Sequence, residues 1–91
     1  MNYRKLDTAL AMALNEIQNQ NEISLVVFVH TENLLDSNAI AMLENLGICG
    51  VGEDKQIHTA SLSINAVSQL SEQNWVKYLK LSQKLGFVNQ G

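Results

Sequence analysis

The residues with the chemistry for catalysis or metal binding are two histidines and a single cysteine. His30 and His58 lie on different predicted strands, with Cys49 between them in the chain. A zinc site needs three or four ligands, with Cys or His at close spacing, and that pattern is missing here. His58 lies on the apolar face of its strand, which favours a hydrogen-bonded core histidine, and no motif places a nucleophile near His30. We therefore predict no metal site and no catalytic residue.

A cluster of glycines between Gly47 and Gly52 superficially resembles a phosphate-binding loop. It lacks the Lys-Ser/Thr ending of a P-loop, and it follows a predicted helix, whereas a P-loop joins a strand to a helix. Cys49 has no basic residue or histidine nearby in sequence, which favours a small buried residue over a reactive thiol. The carboxylates are scattered, and only Glu53 and Asp54 are adjacent, so no acid–base pair is marked. The sequence predicts a protein that is not an enzyme and holds no cofactor.

The composition is that of one small globular domain. The chain has 91 residues, of which 46% are apolar and 16% charged. Its net charge of −3, with six Lys and Arg, gives no basic footprint for nucleic acid. No apolar run approaches the roughly 20 residues that span a bilayer, and the N-terminus lacks the apolar stretch of a signal peptide. We therefore predict a cytoplasmic location, with neither nucleic acid nor membrane as a partner.

The first half of the chain predicts a helix, a strand and a second helix. Apolar residues recur at helical spacing at Leu6, Leu10, Leu14 and Ile17, with Ala13 beside them. The segment 23–29 is β-branched, aromatic and nearly all apolar, which is typical of a central strand with both faces at least partly covered. Asp36 or Ser37 can cap the next helix, and Gly47 ends it because glycine adopts the left-handed conformation without strain.

The second half begins with a weakly indicated edge strand over 48–51 and a turn, followed by a clear strand and a short helix. Alternation over 57–64 separates a core side from an outer side. The core side has His58, Ala60, Leu62 and Ile64. Ser63 or Asn65 can cap the helix that follows.

A last strand is predicted over 75–81, although its alternation is imperfect. Val76 and Tyr78 would lie on one face, and Leu79 and Leu81 on the other. A bulge or bend near Tyr78 would reconcile the two sets, because a bulge inserts one residue into the pairing.

This order of elements predicts an α+β fold. The last six elements follow the ferredoxin-like plan, βαββαβ, with two helices on one face of an antiparallel sheet, and the first helix is an addition to that plan. We divide the single domain into an N-terminal helix and loop (1–22), the ferredoxin-like part (23–82) and a C-terminal tail (83–91).

Two stretches resemble the N-terminal propeptides of subtilisin-like serine proteases. Thr59-Ala60-Ser61-Leu62-Ser63 resembles a strand of the form aromatic-x-Ala-x-Leu-Ser, with His58 at the usual aromatic position. After a short helix through Val67 and Leu70, Trp75-Val76-Lys77-Tyr78-Leu79 resembles the family's last strand, Val-x-Tyr-Val. The likeness covers roughly residues 23–82, and its motifs are short apolar patterns.

The resemblance implies a protein that binds a subtilisin-type serine protease as inhibitor or folding chaperone. Such propeptides dock through the open face of their sheet, which here implies Thr59, Ser61 and Lys77. Their tail lies in the active-site cleft like a substrate, which implies Gly86, Phe87, Val88, Asn89, Gln90 and Gly91. No protease follows in this chain, so we expect action in trans. Lys80, Leu81 and Ser82 depart from the family, which has acidic residues after the last strand's Tyr-Val.

A second interpretation comes from a different class of function. The chain would be a small oligomerisation or regulatory module, in which the exposed sheet face or the N-terminal helix packs against a second copy to form a homodimer. An extended tail favours the protease partner, whereas an apolar sheet face buried in a symmetric dimer favours the module. An uncharacterised enzyme is a third interpretation, and no motif favours it.

Overall fold

Three helices and a 3-10 turn are joined to three strands in this computed structural model, which describes residues 1–48 and 56–85. In chain order the elements are a 3-10 turn at Tyr3–Lys5, α1 (Thr8–Glu16), β1 (Leu25–Thr31), α2 (Ser37–Asn45), β2 (Ile57–Leu62), α3 (Ile64–Ser71) and β3 (Val76–Lys84). The edge strand predicted over 48–51 lies, apart from Ile48, outside the described residues. The α+β class is confirmed.

The strands form an antiparallel sheet in the order β2-β1-β3. β1 pairs with β2 from Leu25 opposite Leu62 to His30 opposite Ile57. On its other side β1 pairs with β3, from Leu25 opposite Lys84 to Thr31 opposite Val76. The central place predicted for the apolar strand is therefore confirmed.

One face of this sheet packs against the core, and the other is open. Along β1, burial alternates residue by residue, with Val26, Phe28 and His30 on the half-buried side. The core side of β2 is the predicted one. It buries His58, Ala60 and Leu62. Leu10 of α1, Leu43 of α2 and Leu70 of α3 belong to the same core, so all three helices contribute to it.

Of the two capping residues that the sequence offers for each helix, Asp36 caps α2 and Ser63 caps α3. Asp36 accepts a hydrogen bond from the backbone N–H of Ala39 at 2.8 Å, and Ser63 accepts one from Ala66 at 3.2 Å. Each therefore satisfies one orphan donor in the first turn of its helix. Gly47 follows α2 with φ of +88°, in the left-handed region. No helix in the described ranges has the length and apolar character needed to cross a membrane.

The first helix is shorter than the apolar spacing predicts. It begins after Asp7, whose side chain caps it, and Leu6 and Ile17 both have extended backbone. Leu6 is nevertheless buried, because it forms an isolated parallel bridge with Leu79 of β3. The helical spacing correctly identified the apolar residues that are buried. It predicted too long a helix because Leu6 and Ile17, at its two ends, are fully or partly buried although their backbone is extended.

The last strand is longer than predicted. Gln83 and Lys84, assigned by sequence to the 83–91 tail, belong to β3 and lie opposite Val26 and Leu25. The predicted irregularity near Tyr78 is confirmed, since the register shifts between the pairs Thr31–Val76 and His30–Tyr78.

Candidate functional site

The outer side of the sheet is the candidate site, and we call it the open face. β1 contributes Val26, Phe28 and His30; β2 contributes Ile57, Thr59 and Ser61; β3 contributes Lys77, Tyr78, Lys80 and Gln83. Residues directly opposite each other on paired strands share a face, so cross-strand register assembles this set from distant parts of the sequence. All of these side chains are exposed or half-buried.

Two of the predicted docking residues lie side by side on β2. Thr59 and Ser61 are both exposed, and they lie opposite Phe28 and Val26 of β1. Successive residues of a strand point to opposite faces, so Thr59 and Ser61, which are two positions apart, point to the same face. The structure therefore presents two hydroxyl groups beside a half-buried apolar strip, which suits a partner that offers both apolar and hydrogen-bonding groups.

The third predicted docking residue, Lys77, lies at one end of the open face. It is the unpaired residue of the β3 bulge, because Val76 pairs with Thr31 and Tyr78 pairs with His30. Lys77 lines a depression of about 210 Å³ together with His30, Ile57 and Tyr78. The bulge thus brings a lysine to the same depression as the neighbouring tyrosine.

Two of the side chains that line this depression contact each other across two strands. The rings of His30 and Tyr78 meet edge to face, with centroids 5.6 Å apart and an interplanar angle of 74°. Edge-to-face contacts of this kind are favourable because the positive ring edge meets the negative ring face. The contact holds the imidazole and the phenol next to Lys77, so three polar side chains converge at one end of the face.

Charge is segregated between the sheet and the rest of the molecule. The chain carries nine Asp and Glu, and none of them lies in the strands 25–31, 57–62 and 76–84. β3 carries three lysines, of which Lys84 pairs with Glu16 of α1 at 2.6 Å. Lys77 and Lys80 are both exposed on the open face. The open face is therefore locally basic on a chain whose net charge is −3.

The outer edge of β3 is partly covered by the N-terminal segment. The backbone N–H of Asp7 donates to the carbonyl of Leu79 at 3.0 Å, and the N–H of Leu81 donates to the Asp7 side chain at 3.2 Å. An uncovered edge strand is a template for pairing with another chain. Because this stretch of the edge is occupied, the carbonyl of Leu79 and the N–H of Leu81 already have partners within the chain.

The predicted protease-binding tail, Gly86 to Gly91, lies outside the described residues. It follows Leu85, whose N–H donates to the carbonyl of Ser24 at 2.9 Å. A cavity of about 400 Å³ lies at this end of the sheet, between the loop after α1 and the end of β3, and Ile17 and Lys84 help to line it.

No group of three or more His, Cys, Asp or Glu side chains in residues 1–48 and 56–85 is arranged to hold a metal ion. His58 is buried on the core side of β2, opposite Val29. It therefore lies on the other side of the sheet from His30. The two histidines do not share a site.

The sequence-based docking prediction named three residues of the open face and missed the other seven: Val26, Phe28, His30, Ile57, Tyr78, Lys80 and Gln83. The sequence did indicate that Phe28 and His30 share a face with Val26, because the three residues are spaced by two along β1. Tyr78 and Lys80 could be placed only once the bulge at Lys77 was located, because it reverses the faces of the residues that follow.

No protein-family model matches the chain, and neither a curated protein nor a solved structure does. The functional assignment therefore depends on the geometry of the open face and on the sequence resemblance.

Proposed function

We propose that the chain is a non-enzymatic protein-binding domain whose partner is a subtilisin-type serine protease, which it inhibits or helps to fold in trans. The observation that carries the proposal is the open face. Three helices pack their apolar side chains into one core, while the outer side of the sheet leaves Thr59, Ser61 and Lys77 exposed. A half-buried apolar strip flanked by exposed polar groups is typical of a surface that another protein covers.

The ferredoxin-like plan is part of the proposal, and the order of the strands supports it. In that plan the first strand lies between the third and the fourth, with every neighbouring pair antiparallel. β1 lies between β2 and β3, and both pairings are antiparallel. The plan's second strand is the one predicted over 48–51, which, apart from Ile48, lies outside the described residues.

The choice of partner follows from the resemblance over residues 23–82. Its motifs fall on β2 and β3, the two strands that flank β1 on the open face. The tail, residues 86–91, would follow the cleft of the protease as an added strand, with main-chain hydrogen bonds giving affinity and alternate side chains giving specificity. Lys80 is exposed where the family has acidic residues, so the partner's surface must differ at that position.

The proposal is tested by inhibition of a panel of subtilisin-type proteases with the purified protein. A version truncated after Leu85 removes the tail, and Ser61→Arg blocks the open face. Gln69→Arg is the matched control, because Gln69 is exposed on α3, away from the sheet. We expect inhibition by the intact protein and by Gln69→Arg. Ser61→Arg should weaken inhibition about tenfold, which corresponds to about 1.4 kcal/mol of binding free energy.

The chaperone alternative uses the same variants in a refolding assay. Acid-denatured protease is diluted with and without the protein, and recovery of activity is followed. Faster recovery that is lost in Ser61→Arg supports docking through the open face. Folded, intact protein that neither inhibits nor assists refolding would reject the proposal.

A further inference from the structure

We propose that the open face binds an acidic segment of its partner, whose carboxylates pair with Lys77 and Lys80. The inference rests on the proposed function only in taking the open face as the docking surface, and it names the chemistry that this surface recognises. It holds for any protein partner that presents such a segment.

The first support is the distribution of charge. A chain with nine acidic and six basic residues would place some carboxylates on its sheet if charge were spread evenly. Instead the strands have none, and Lys77 and Lys80 stand exposed on the open face. Complementary potentials steer association and select partners, so a basic face on an acidic protein favours an acidic counterpart.

The second support is the setting of the two lysines. Lys80 lies opposite Phe28 of β1, and Lys77 lines the depression that His30 and Tyr78 form. Apolar and aromatic surface beside an ammonium group lowers local hydration, which strengthens an ion pair made there. The depression, about 210 Å³, also brings the phenol of Tyr78 and the imidazole of His30 within reach of an entering carboxylate. An acidic segment with interspersed apolar side chains therefore matches the face.

The same charges disfavour two other occupants. A second copy packed on this face by two-fold symmetry would use the same patch on both partners, and so would bring basic patches together. A nucleic acid strand carries a phosphate at every nucleotide and needs a longer basic track than two lysines provide. An acidic protein segment meets neither objection.

The test is an amide NMR titration of the full chain with two hexapeptides, blocked at both ends. One has alternating glutamate and leucine or phenylalanine, and the other has glutamine in place of each glutamate. We expect the acidic peptide to shift amides of the open face and to bind more weakly as salt is raised. The double variant Lys77→Gln with Lys80→Gln should reduce its affinity about five- to tenfold, as two exposed ion pairs imply.

Lys84→Gln is the matched control, because it removes the same charge from the same strand but at a lysine already paired with Glu16. It should bind the acidic peptide like the unmodified protein. Equal affinity for the two peptides, no binding of either, or equal weakening by Lys84→Gln would overturn the inference. Tighter binding of octathymidylate at the same amides would also overturn it, in favour of nucleic acid.

The outcome is separable from that of the protease assay. Protease inhibition that is unchanged in the double lysine variant would reject acidic recognition and leave the proposed function standing. Selective binding of the acidic peptide without any effect on proteases would support acidic recognition and reject the proposed function.

Discussion

Asp7 joins the first helix to the sheet through one carboxylate oxygen. Its Oδ1 accepts from the N–H of Leu10 at 2.9 Å, which caps α1, and from the N–H of Leu81 at 3.2 Å, on β3. Asp7→Ala removes the acceptor of both hydrogen bonds, so we expect the free energy of unfolding to fall by about 2 kcal/mol. Asp7→Asn keeps an oxygen at that position and should cost less. Urea denaturation of both variants measures the difference, and equal losses would contradict the dual role.

Glu72 provides a prediction about pH. The Met1 ammonium donates to its carboxylate at 2.7 Å, and this hydrogen bond, followed by the attraction between the two charges, lowers the pKa of Glu72 below its ordinary value. A carboxyl whose pKa is lower in the folded state stabilises the fold above its unfolded pKa, and this contribution is lost as the pH falls through the folded pKa. NMR titration of the Glu72 carboxyl should give a low pKa that rises when the Met1 nitrogen is acetylated. An identical pKa in both forms would show that the ion pair is absent in solution.

At the scale of the element, two register shifts in β3 decide which side chains reach the open face. One is the bulge at Lys77, and the other lies between Leu81 and Gln83. Deleting Lys77 removes the extra residue and leaves Val76 buried, Tyr78 outward and Leu79 buried in plain alternation. We expect this deletion to keep the fold and to change the free energy of unfolding by only about 1 kcal/mol.

Deletion of Lys80 is the matched comparison, since it removes the same charge from the same strand. It moves Leu81 to the open face, and exposing a leucine costs about 1.5–3 kcal/mol if its burial is complete. Leu81 is half-buried, so the lower end of that range applies. The Lys80 deletion should unfold at a lower temperature than the Lys77 deletion. The opposite order would show that Lys77 is not the extra residue of the bulge.

Local signals predicted the elements because local interactions form them. Asp36, Ser63 and Gly47 mark helix ends through bonds or backbone angles within a few residues. The sequence therefore predicted the Gly47 end directly and reduced each N-cap to two candidates. The bulge was foreseen only as an irregularity, since the identity of the inserted residue depends on pairing with β1. The end of β3 was missed because Lys84 continues the strand through its pairing with Leu25, which polar composition does not indicate.

For the whole molecule, the relation of the N-terminal segment to the sheet was the feature least accessible from sequence. The sequence predicted residues 1–22 as an addition to the ferredoxin-like plan within one domain, and did not indicate where they contact the sheet. In the structure, the bridge between Leu6 and Leu79 extends the sheet beyond the edge of β3. The sequence near each leucine does not indicate this contact, because the two residues are more than seventy positions apart and neither lies in an unusual local sequence. The open face likewise exists only once three distant segments pair.

The integration of this segment gives a prediction for the entire fold. The segment adds three leucine side chains to the core, at Leu6, Leu10 and Leu14. Each buried leucine contributes about 1.5–3 kcal/mol. Together the three leucines contribute about 4.5–9 kcal/mol. Domains of this size have a net stability of only about 5–15 kcal/mol, so the loss of all three removes a large part of the margin. We expect a chain lacking residues 1–17 to show no cooperative thermal unfolding and poor dispersion of its amide NMR signals.

Two point variants in the full chain show whether the loss of stability comes from lost core packing or from shortening the chain. Leu10 is fully buried, so Leu10→Ala should lower the free energy of unfolding by about 2–5 kcal/mol. Met12 on the same helix is 60% exposed, so Met12→Ala should change it by less than about 0.5 kcal/mol. If the shortened chain unfolds cooperatively with native dispersion, the segment is an appendage and the sheet with α2 and α3 suffices for folding. If it does not, the open face, which we propose as the docking surface, depends on a helix outside the region of the family resemblance, because that helix helps to hold β3 in place.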